Sequence, residues 1–249
     1  MNKNNKIGIV TGAGKGIGLE TCKLFLSKNY KIIAITRSKS SQLEFLKKKY
    51  NSNLYISYFD ITHKNSVEKN LNFIFKKYKN INFLVNNAGV RFRRSIKKSN
   101  LNEIQNIFDN NIISQINLTK NYLLKINKRN KNSIVFLSSI VGPRGFEDLS
   151  IYSSTKGAIE SFMKSLAIEY ASQNVRVNSV SPGFIETSYA RDFKNNRKKL
   201  YKWTIERTPM KRWGKSIEVA NVIEFLVSDS SSYITGTNIF VDGGWTAGL

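Results

Sequence analysis

Short apolar runs recur along the chain, each closed by turn or cap residues. They are Ile7–Val10, Ile32–Ile35, Leu54–Phe59, Ile81–Val85, Ile134–Leu137, Val175–Val180 and Ile239–Val241. Most are continuous rather than alternating, the pattern of strands buried on both faces of a parallel sheet. Between them lie stretches with helical spacing, such as Leu19, Cys22, Leu24, Phe25 and Leu26, or Val219, Val222, Ile223, Phe225 and Leu226. Alternating strands and helices predict an α/β fold: a doubly wound parallel sheet of about seven strands, with helices on both faces and right-handed crossovers. No linker rich in Pro or Gly interrupts the pattern, so residues 1–249 are expected to form one domain.

The segment 183–214 breaks this rhythm. It carries Tyr189, Phe193, Trp203, Pro209 and Trp213 among many charges and follows a predicted strand. In an open α/β sheet the ligand crevice lies beyond the carboxyl ends of the strands. A long insertion there is a candidate substrate lid.

Composition narrows the class. Apolar residues make up 41% of the 249, enough for one large core. The start, Met1–Lys6, is charged and no apolar signal-peptide core follows it. No run approaches the roughly 18 apolar residues of a membrane span. A cytoplasmic enzyme is expected, with no membrane partner. The single cysteine, Cys22, suits a reducing compartment and reads as core filler. With one His (His63) and one Cys, no zinc-type ligand set of these residues can be assembled, and no metal site is expected. His63 itself reads as a surface loop residue.

Charge is the unusual feature: 40 basic against 17 acidic residues, a net of +23. Such a field suits nucleic acid, an anionic membrane or an acidic protein. The Lys residues are, however, spread through strand ends, helices and loops, which is the pattern of compositional drift more than of a built patch.

Chemistry enters with the loop after the first strand, Thr11-Gly12-Ala13-Gly14-Lys15-Gly16-Ile17-Gly18, which opens a helix. Glycines let a chain turn tightly and bring backbone N–H groups and a helix N-terminus against a pyrophosphate. Roughly twenty residues on, an NAD site would place Asp or Glu at the end of strand two for the ribose 2′-OH. Here that place reads Ile35-Thr36-Arg37-Ser38. Arg37 can pair with a 2′-phosphate, and Lys15 adds a second cation, so NADP(H) is the expected cofactor.

A second group is Tyr152-Ser153-Ser154-Thr155-Lys156, ahead of a helical pattern. Positions i and i+4 share a helix face, so phenol and ammonium sit side by side. A phenol of pKa about 10 is a poor acid at neutral pH, and a neighbouring cation pulls it toward the working range. Ser139 ends the fifth strand, where a hydroxyl can hold a substrate oxygen beside that phenol.

With these motifs in order, the chain resembles the single-domain short-chain dehydrogenases/reductases, Rossmann-like enzymes, nearly end to end. Thr11-Gly12 with Gly16 and Gly18 is similar to the family's cofactor loop, Asp60-Ile61 to its adenine cap, and Asn86-Asn87-Ala88-Gly89 to the loop after strand four. Asn111, Ser139, Tyr152 and Lys156 match its catalytic tetrad. Pro182-Gly183 with Ile185 and Thr187 matches the segment beside the nicotinamide. The resemblance implies that Tyr152 moves the proton and that Lys156 holds the nicotinamide ribose and lowers the Tyr152 pKa. Ser139 would orient a substrate carbonyl, and Asn111 would position Lys156 through a water. It also implies a homotetramer acting on a small carbonyl or alcohol substrate.

The substrate is less defined. Asn86 through Arg94, Arg207 through Gly214 and the tail Val241–Ala247 resemble sugar-acid dehydrogenases of the gluconate 5-dehydrogenase type. Arg93 would then pair with a substrate carboxylate, and a polar hydroxy or sugar-acid ketone is the expectation. The alternative is a 3-oxoacyl-acyl-carrier-protein reductase. Val180–Thr187 resembles those enzymes, and a positive surface with Lys128, Arg129 and Lys131 suits an acidic carrier. Two departures count against it: Arg91-Phe92-Arg93 stands where those enzymes carry Thr-Arg-Asp, and Gln173 where they place a docking Arg. A reading from another class, a basic nucleotide- or nucleic-acid-binding module, leaves the Tyr-Lys-Ser-Asn set without a purpose. No nucleic-acid partner is expected.

Overall fold

The computed structural model describes residues 6–248, with the side chains of Tyr189, Arg191 and Asp192 outside that description. Seven parallel strands form one sheet: β1 (Ile7–Thr11), β2 (Lys31–Thr36), β3 (Leu54–Tyr58), β4 (Phe83–Asn86), β5 (Asn132–Leu137), β6 (Val175–Pro182) and, near the end of the chain, β9 (Asn238–Val241). Their order is β3-β2-β1-β4-β5-β6-β9, so the direction of winding reverses between β1 and β4. That switch point opens a crevice at the carboxyl ends of the strands.

The continuous apolar runs now have their reason. Successive side chains of a strand point to opposite faces. Ile9, Ile33, Ile35, Ile134 and Phe136 face one core, beneath α3 (Lys64–Lys77), α5 (Ser114–Leu123) and α6 (Ser150–Tyr170). Val10, Ile32, Ala34, Val135 and Leu137 face the other, beneath α1 (Gly16–Ser27), α2 (Ser41–Lys49) and α9 (Ser216–Val227). Cys22 is fully buried in the second core, and burial raises its thiol pKa far above the ordinary range. It is core filler.

Each of the seven predicted strands is present, with shifted ends. The fourth begins at Phe83 rather than Ile81, because Asn82 already serves as the margin of the sheet. Its N–H donates to the Ile7 carbonyl (2.7 Å), and its side-chain oxygen accepts from the Ile7 N–H (3.1 Å). At Gly8 the lack of a side chain matters: a Cβ there would lie 2.0 Å from the Phe83 ring, which crosses β1 at that point.

Segment 183–214 holds more structure than its irregular sequence suggests. It contains β7 (Ile185–Glu186), α7 (Ser188–Asn196) and α8 (Lys198–Arg207), and β7 pairs in parallel with β8 (Gly214–Lys215). The two-residue pair β7–β8 pins both ends of the segment at one place. Arg212 fastens it to α9 through two hydrogen bonds to Glu218, at 2.8 and 2.6 Å. Those bonds, with one from the Lys215 N–H, hold the Glu218 carboxyl down at about 2. No helix among the described residues is long and apolar enough to cross a membrane.

Candidate active site

A cleft of about 880 Å³ runs along the carboxyl ends of the strands, from Ser38–Gln42 to the aromatic residues of α7 and α8. One wall is made largely of backbone. The chain leaves β1 at Thr11 and turns at Gly12 (φ +63°) and Gly16 (φ +56°), conformations that favour glycine. Gly12, Gly14, Lys15, Gly16 and Ile17 line the cleft. The N-terminus of α1 has no side-chain cap and no acidic residue in its first turn, so its N–H groups are left for an anion.

Thr11 and Gly18 do not reach the cleft surface; both sit one layer behind it. The Thr11 hydroxyl accepts from the Asn87 and Ala88 N–H groups, each at 3.0 Å, and so ties the Gly loop to the loop after β4. Gly18 allows a close crossing: a Cβ there would stand 2.5 Å from Asn87 Nδ2 and from the Gly12 carbonyl oxygen. Thr11 and Gly18 therefore bear on the cleft only through the position of Asn87, Ala88 and Gly89, which do line it.

At the end of β2, Arg37 lies 3.8 Å from Asp60, with Asp60 and Ile61 also on the wall. Burial pushes the Asp60 carboxyl upward. The Thr62 N–H and hydroxyl, together with Arg37, outweigh it and leave the pKa below its usual value. Lys15 is exposed on the same rim.

Tyr152, Lys156 and Ser139 occupy the middle. Tyr152 is the third residue of α6, and Lys156 follows one turn later on the same face, its Nζ 5.8 Å from the centre of the Tyr152 ring. Ser139, just past β5, lines the same stretch of cleft. Lys156 is almost fully buried and donates to the Leu137 carbonyl at 2.6 Å. Burial draws its pKa down to about 8, against the opposing pull of the Glu160 carboxylate.

Asn111 is fully buried behind this group, in a π-helical turn (Asp109–Ile113) between α4 (Leu101–Phe108) and α5. Its side chain accepts from the Val90 N–H (2.7 Å) and donates to the Val90 carbonyl (2.8 Å) and to Thr155 Oγ1 (3.3 Å). The same helical face continues at Gln115, whose Nε2 donates to the Ala88 carbonyl, and at Thr119, which accepts from Asn86 Nδ2. Asn111, Gln115 and Thr119, at i, i+4 and i+8, thus fasten residues 86–90 from behind. A Cβ on Gly89 would lie 3.1 Å from Asn111 Oδ1 and 4.0 Å from Lys156 Nζ, which shows how tightly the three pack.

The far wall is apolar. Phe146 and Leu149 come from the loop after Ser139, and Phe184 follows β6. Phe193, Leu200, Trp203 and Trp213 come from segment 183–214. Trp245, from the C-terminal tail, is buried behind them against Phe146, Phe184 and Trp203. Arg91 and Arg93 line the opposite lip, while Arg94 turns away to Glu103.

Of the residues singled out from the sequence, the cleft gathers Ser139, Tyr152, Lys156, Arg37, Arg93, Pro182, Gly183, Ile185 and Thr187, besides those named above. It leaves Asn111, Thr11 and Gly18 one layer out. Sequence reasoning missed Phe146, Leu149 and Leu200, which sit in segments with no clear period. It also missed Gln115 and Thr119, for which the polar i, i+4, i+8 stripe from Asn111 was the available signal. Lys128, Arg129 and Lys131 precede the first residue of β5, at the end of the sheet opposite Ser139.

A nicotinamide dinucleotide fits these residues: a glycine cradle that side chains would fill, an uncapped helix N-terminus and a cleft of sufficient length lie in line. The family described as Enoyl-(Acyl carrier protein) reductase matches residues 12–246. The 3-oxoacyl-acyl-carrier-protein reductase FabG of Escherichia coli is 31% identical over 98% of both chains. Among solved structures, ElxO with NADP bound superposes with a TM-score of 0.92 at 28% identity, covering 98% of this chain and 100% of that one. The ligand-free aldohexose dehydrogenase of Thermoplasma acidophilum does so with 0.89 at 30% identity, covering 98% and 95%. The chain belongs to the short-chain dehydrogenase/reductase family and is an NAD(P)-dependent oxidoreductase acting on CH–OH groups.

Proposed function

We propose that the chain is an NADPH-dependent reductase of 3-oxoacyl thioesters, with Tyr152 as proton donor. The observation that carries this reading is the apolar far wall. Phe146, Phe184, Leu200 and Trp203 line the same cleft as Ser139 and Tyr152, with Phe146, Phe184 and Tyr152 packed against one buried cluster, and such a lining suits an acyl chain far better than a polyol. Relatives that share nearly the whole length carry the acyl-carrier reductase name, which favours this substrate over the sugar-acid expectation.

The glycine loop, Arg37 and Lys156 would hold NADPH, which would supply the hydride for the carbonyl carbon. Tyr152 gives its phenolic proton to the carbonyl oxygen while the Ser139 hydroxyl holds that oxygen in place. Lys156, as ammonium, binds the nicotinamide ribose and favours the phenolate that Tyr152 becomes. Asn111 acts from behind by fixing Val90 and Thr155. Lys15 and the largely exposed Arg37 would hold the 2′-phosphate of the cofactor. Segment 183–214 serves as the lid over the acyl chain. The same reading extends to a homotetramer, supported by apolar side chains left exposed at Ile113 and Leu124, which flank α5, and at Ile168 on α6; sedimentation reading fewer than four copies would reject it.

A second reading, a sugar-acid ketone, draws on Arg91 and Arg93 at the lip of the cleft, where a planar pairing with a carboxylate is available. NADPH oxidation with acetoacetyl thioester and with 5-keto-gluconate, run side by side, separates the two. We expect turnover of the thioester, and turnover of 5-keto-gluconate alone would overturn the proposal.

A further inference from the structure

The lid has two faces of opposite character. Toward the cleft, α8 presents Leu200, Trp203 and Thr204. At 100° per residue, Lys198 and Lys202 fall on the opposite side and Lys199 on the flank, with Arg197 capping the helix. All four are exposed. Residues 194–202 hold five basic side chains and no acidic one. Arg197, Lys198 and Lys199 form no ion pair among the described residues, whereas Lys194 is held by Glu186. Lys202 reaches Glu206 only at 3.7 Å, with both side chains largely in solvent, a pair that counts for little there.

Resting on the thioester reading, we propose that an acidic carrier protein docks on this outer lid face, through Arg197, Lys198, Lys199 and Lys202. The cations flank the residues that line the cleft, so a carrier held there has the cleft mouth beside it. The basic group Lys128, Arg129 and Lys131 fails that requirement within one chain, and in residues 91–98 the charges are shared between the cleft lip (Arg91, Arg93) and the ion pair of Arg94 with Glu103. The 128–131 group lies at the far end of a six-residue strand, some 20 Å of sheet away from Ser139. A nucleic acid or a membrane surface would use the same charges but brings no arm to deliver a substrate.

The test compares acetoacetyl-acyl carrier protein with the free acetoacetyl N-acetylcysteamine thioester. Rim charges act on association rate and its salt dependence. In the combined variant Arg197→Glu, Lys198→Glu, Lys199→Glu and Lys202→Glu, KM for the carrier-bound substrate is expected to rise about ten-fold or more. Turnover of the free thioester should stay within about two-fold. Added salt should raise the carrier KM of the parent and leave that of the variant nearly flat. The four alanine substitutions serve if the reversed charges prevent folding. The variant Lys128→Glu, Arg129→Glu and Lys131→Glu should leave the carrier KM unchanged. An unaltered carrier KM in the lid variants, or its loss in the 128–131 variant, overturns the proposal. If the parent reduces neither thioester, the functional reading fails on its own. Docking is then read by titrating the unacylated carrier protein against parent and lid variant, and equal binding overturns it. Duplex DNA that binds the parent, is lost in the lid variant and meets no carrier response would also overturn it.

Discussion

The two walls of the cleft are built on different principles. The cofactor wall is backbone: Gly12, Gly14 and Gly16 expose N–H groups, and Thr11, Asn87 and Asn111 hold the loops in register from behind. The substrate wall is side chain: aromatic rings from the loop after β5, from α7 and α8, and from Trp213, backed by Trp245 in the tail. A backbone wall tolerates little change, because a Cβ at Gly12 would stand 2.8 Å from Asn87 Nδ2 and one at Gly18 2.5 Å from the Gly12 carbonyl oxygen. A wall of rings can be remade one residue at a time without moving the chain. On the proposed reading one wall fixes the reaction, and the other sets the substrate.

The comparison breaks most sharply at Tyr152, which stands between the two walls. Tyr152→Phe keeps the ring and removes the proton. Turnover should fall by about 10²–10⁴-fold while NADPH binding, followed by fluorescence titration, stays near the parent value. Turnover within about ten-fold of the parent would remove Tyr152 from the acid role.

Next in size is the cofactor rim. Arg37→Asp places a carboxylate where a 2′-phosphate would lie and adds a second negative charge beside Asp60. The ratio of kcat/KM for NADPH over NADH should drop by roughly 10–100-fold, the worth of a charge-assisted hydrogen bond lost to repulsion. An unchanged ratio would leave the selection to Lys15 or to neither.

On the substrate wall the effects are smaller and confined to the substrate. Trp203→Ala removes a ring that packs edge-on against Trp245, at 5.5 Å between centroids, and carries the Arg207 guanidinium at 5.4 Å. KM for a medium-chain 3-oxoacyl thioester should rise about ten-fold, in line with the loss of one apolar contact to the acyl chain. The KM for NADPH should not move. A rise in both would mean that the lid shapes the cofactor wall as well.

The same division decided what could be read before the fold was known. Backbone geometry leaves a local signature, since a turn at positive φ needs glycine and a parallel sheet needs unbroken apolar runs. Gly12 and Gly16 were therefore legible, as were the seven strands. Tyr152 and Lys156 were legible because one helical turn is a fixed spacing. Asn111 could be matched by resemblance, yet its commitment to Val90 and Thr155 comes from a π-helical turn that no periodicity announces. The aromatic wall was not legible as a unit. Phe146, Leu200 and Trp245 lie far apart in sequence and meet only because β5, the lid and the tail end at one edge of the sheet.

The smallest effect lies inside the backbone wall, at Lys156. Its Nζ is enclosed by the Leu137 carbonyl on β5, Tyr152 on its own helix and the backbone at Gly89, with Asn111 beyond. Burial brings its pKa to about 8, and the charge of Glu160 resists that fall. Glu160 in turn is held by the hydroxyls of Ser138 (2.7 Å) and Ser181 (3.3 Å). As pH rises through 8 the ammonium is lost, and with it the charge that favours the Tyr152 phenolate, so reduction should decline on the alkaline side. Glu160→Gln removes the opposing charge and keeps a group that can meet both hydroxyls. The alkaline limb should then move to lower pH by less than about one unit, with the rate at pH 6.5 nearly unchanged. Profiles of kcat/KM from pH 6 to 10 for parent and variant measure this shift. A limb that moves upward would mean that Glu160 acts through packing, because loss of a negative neighbour can only lower the pKa of a lysine.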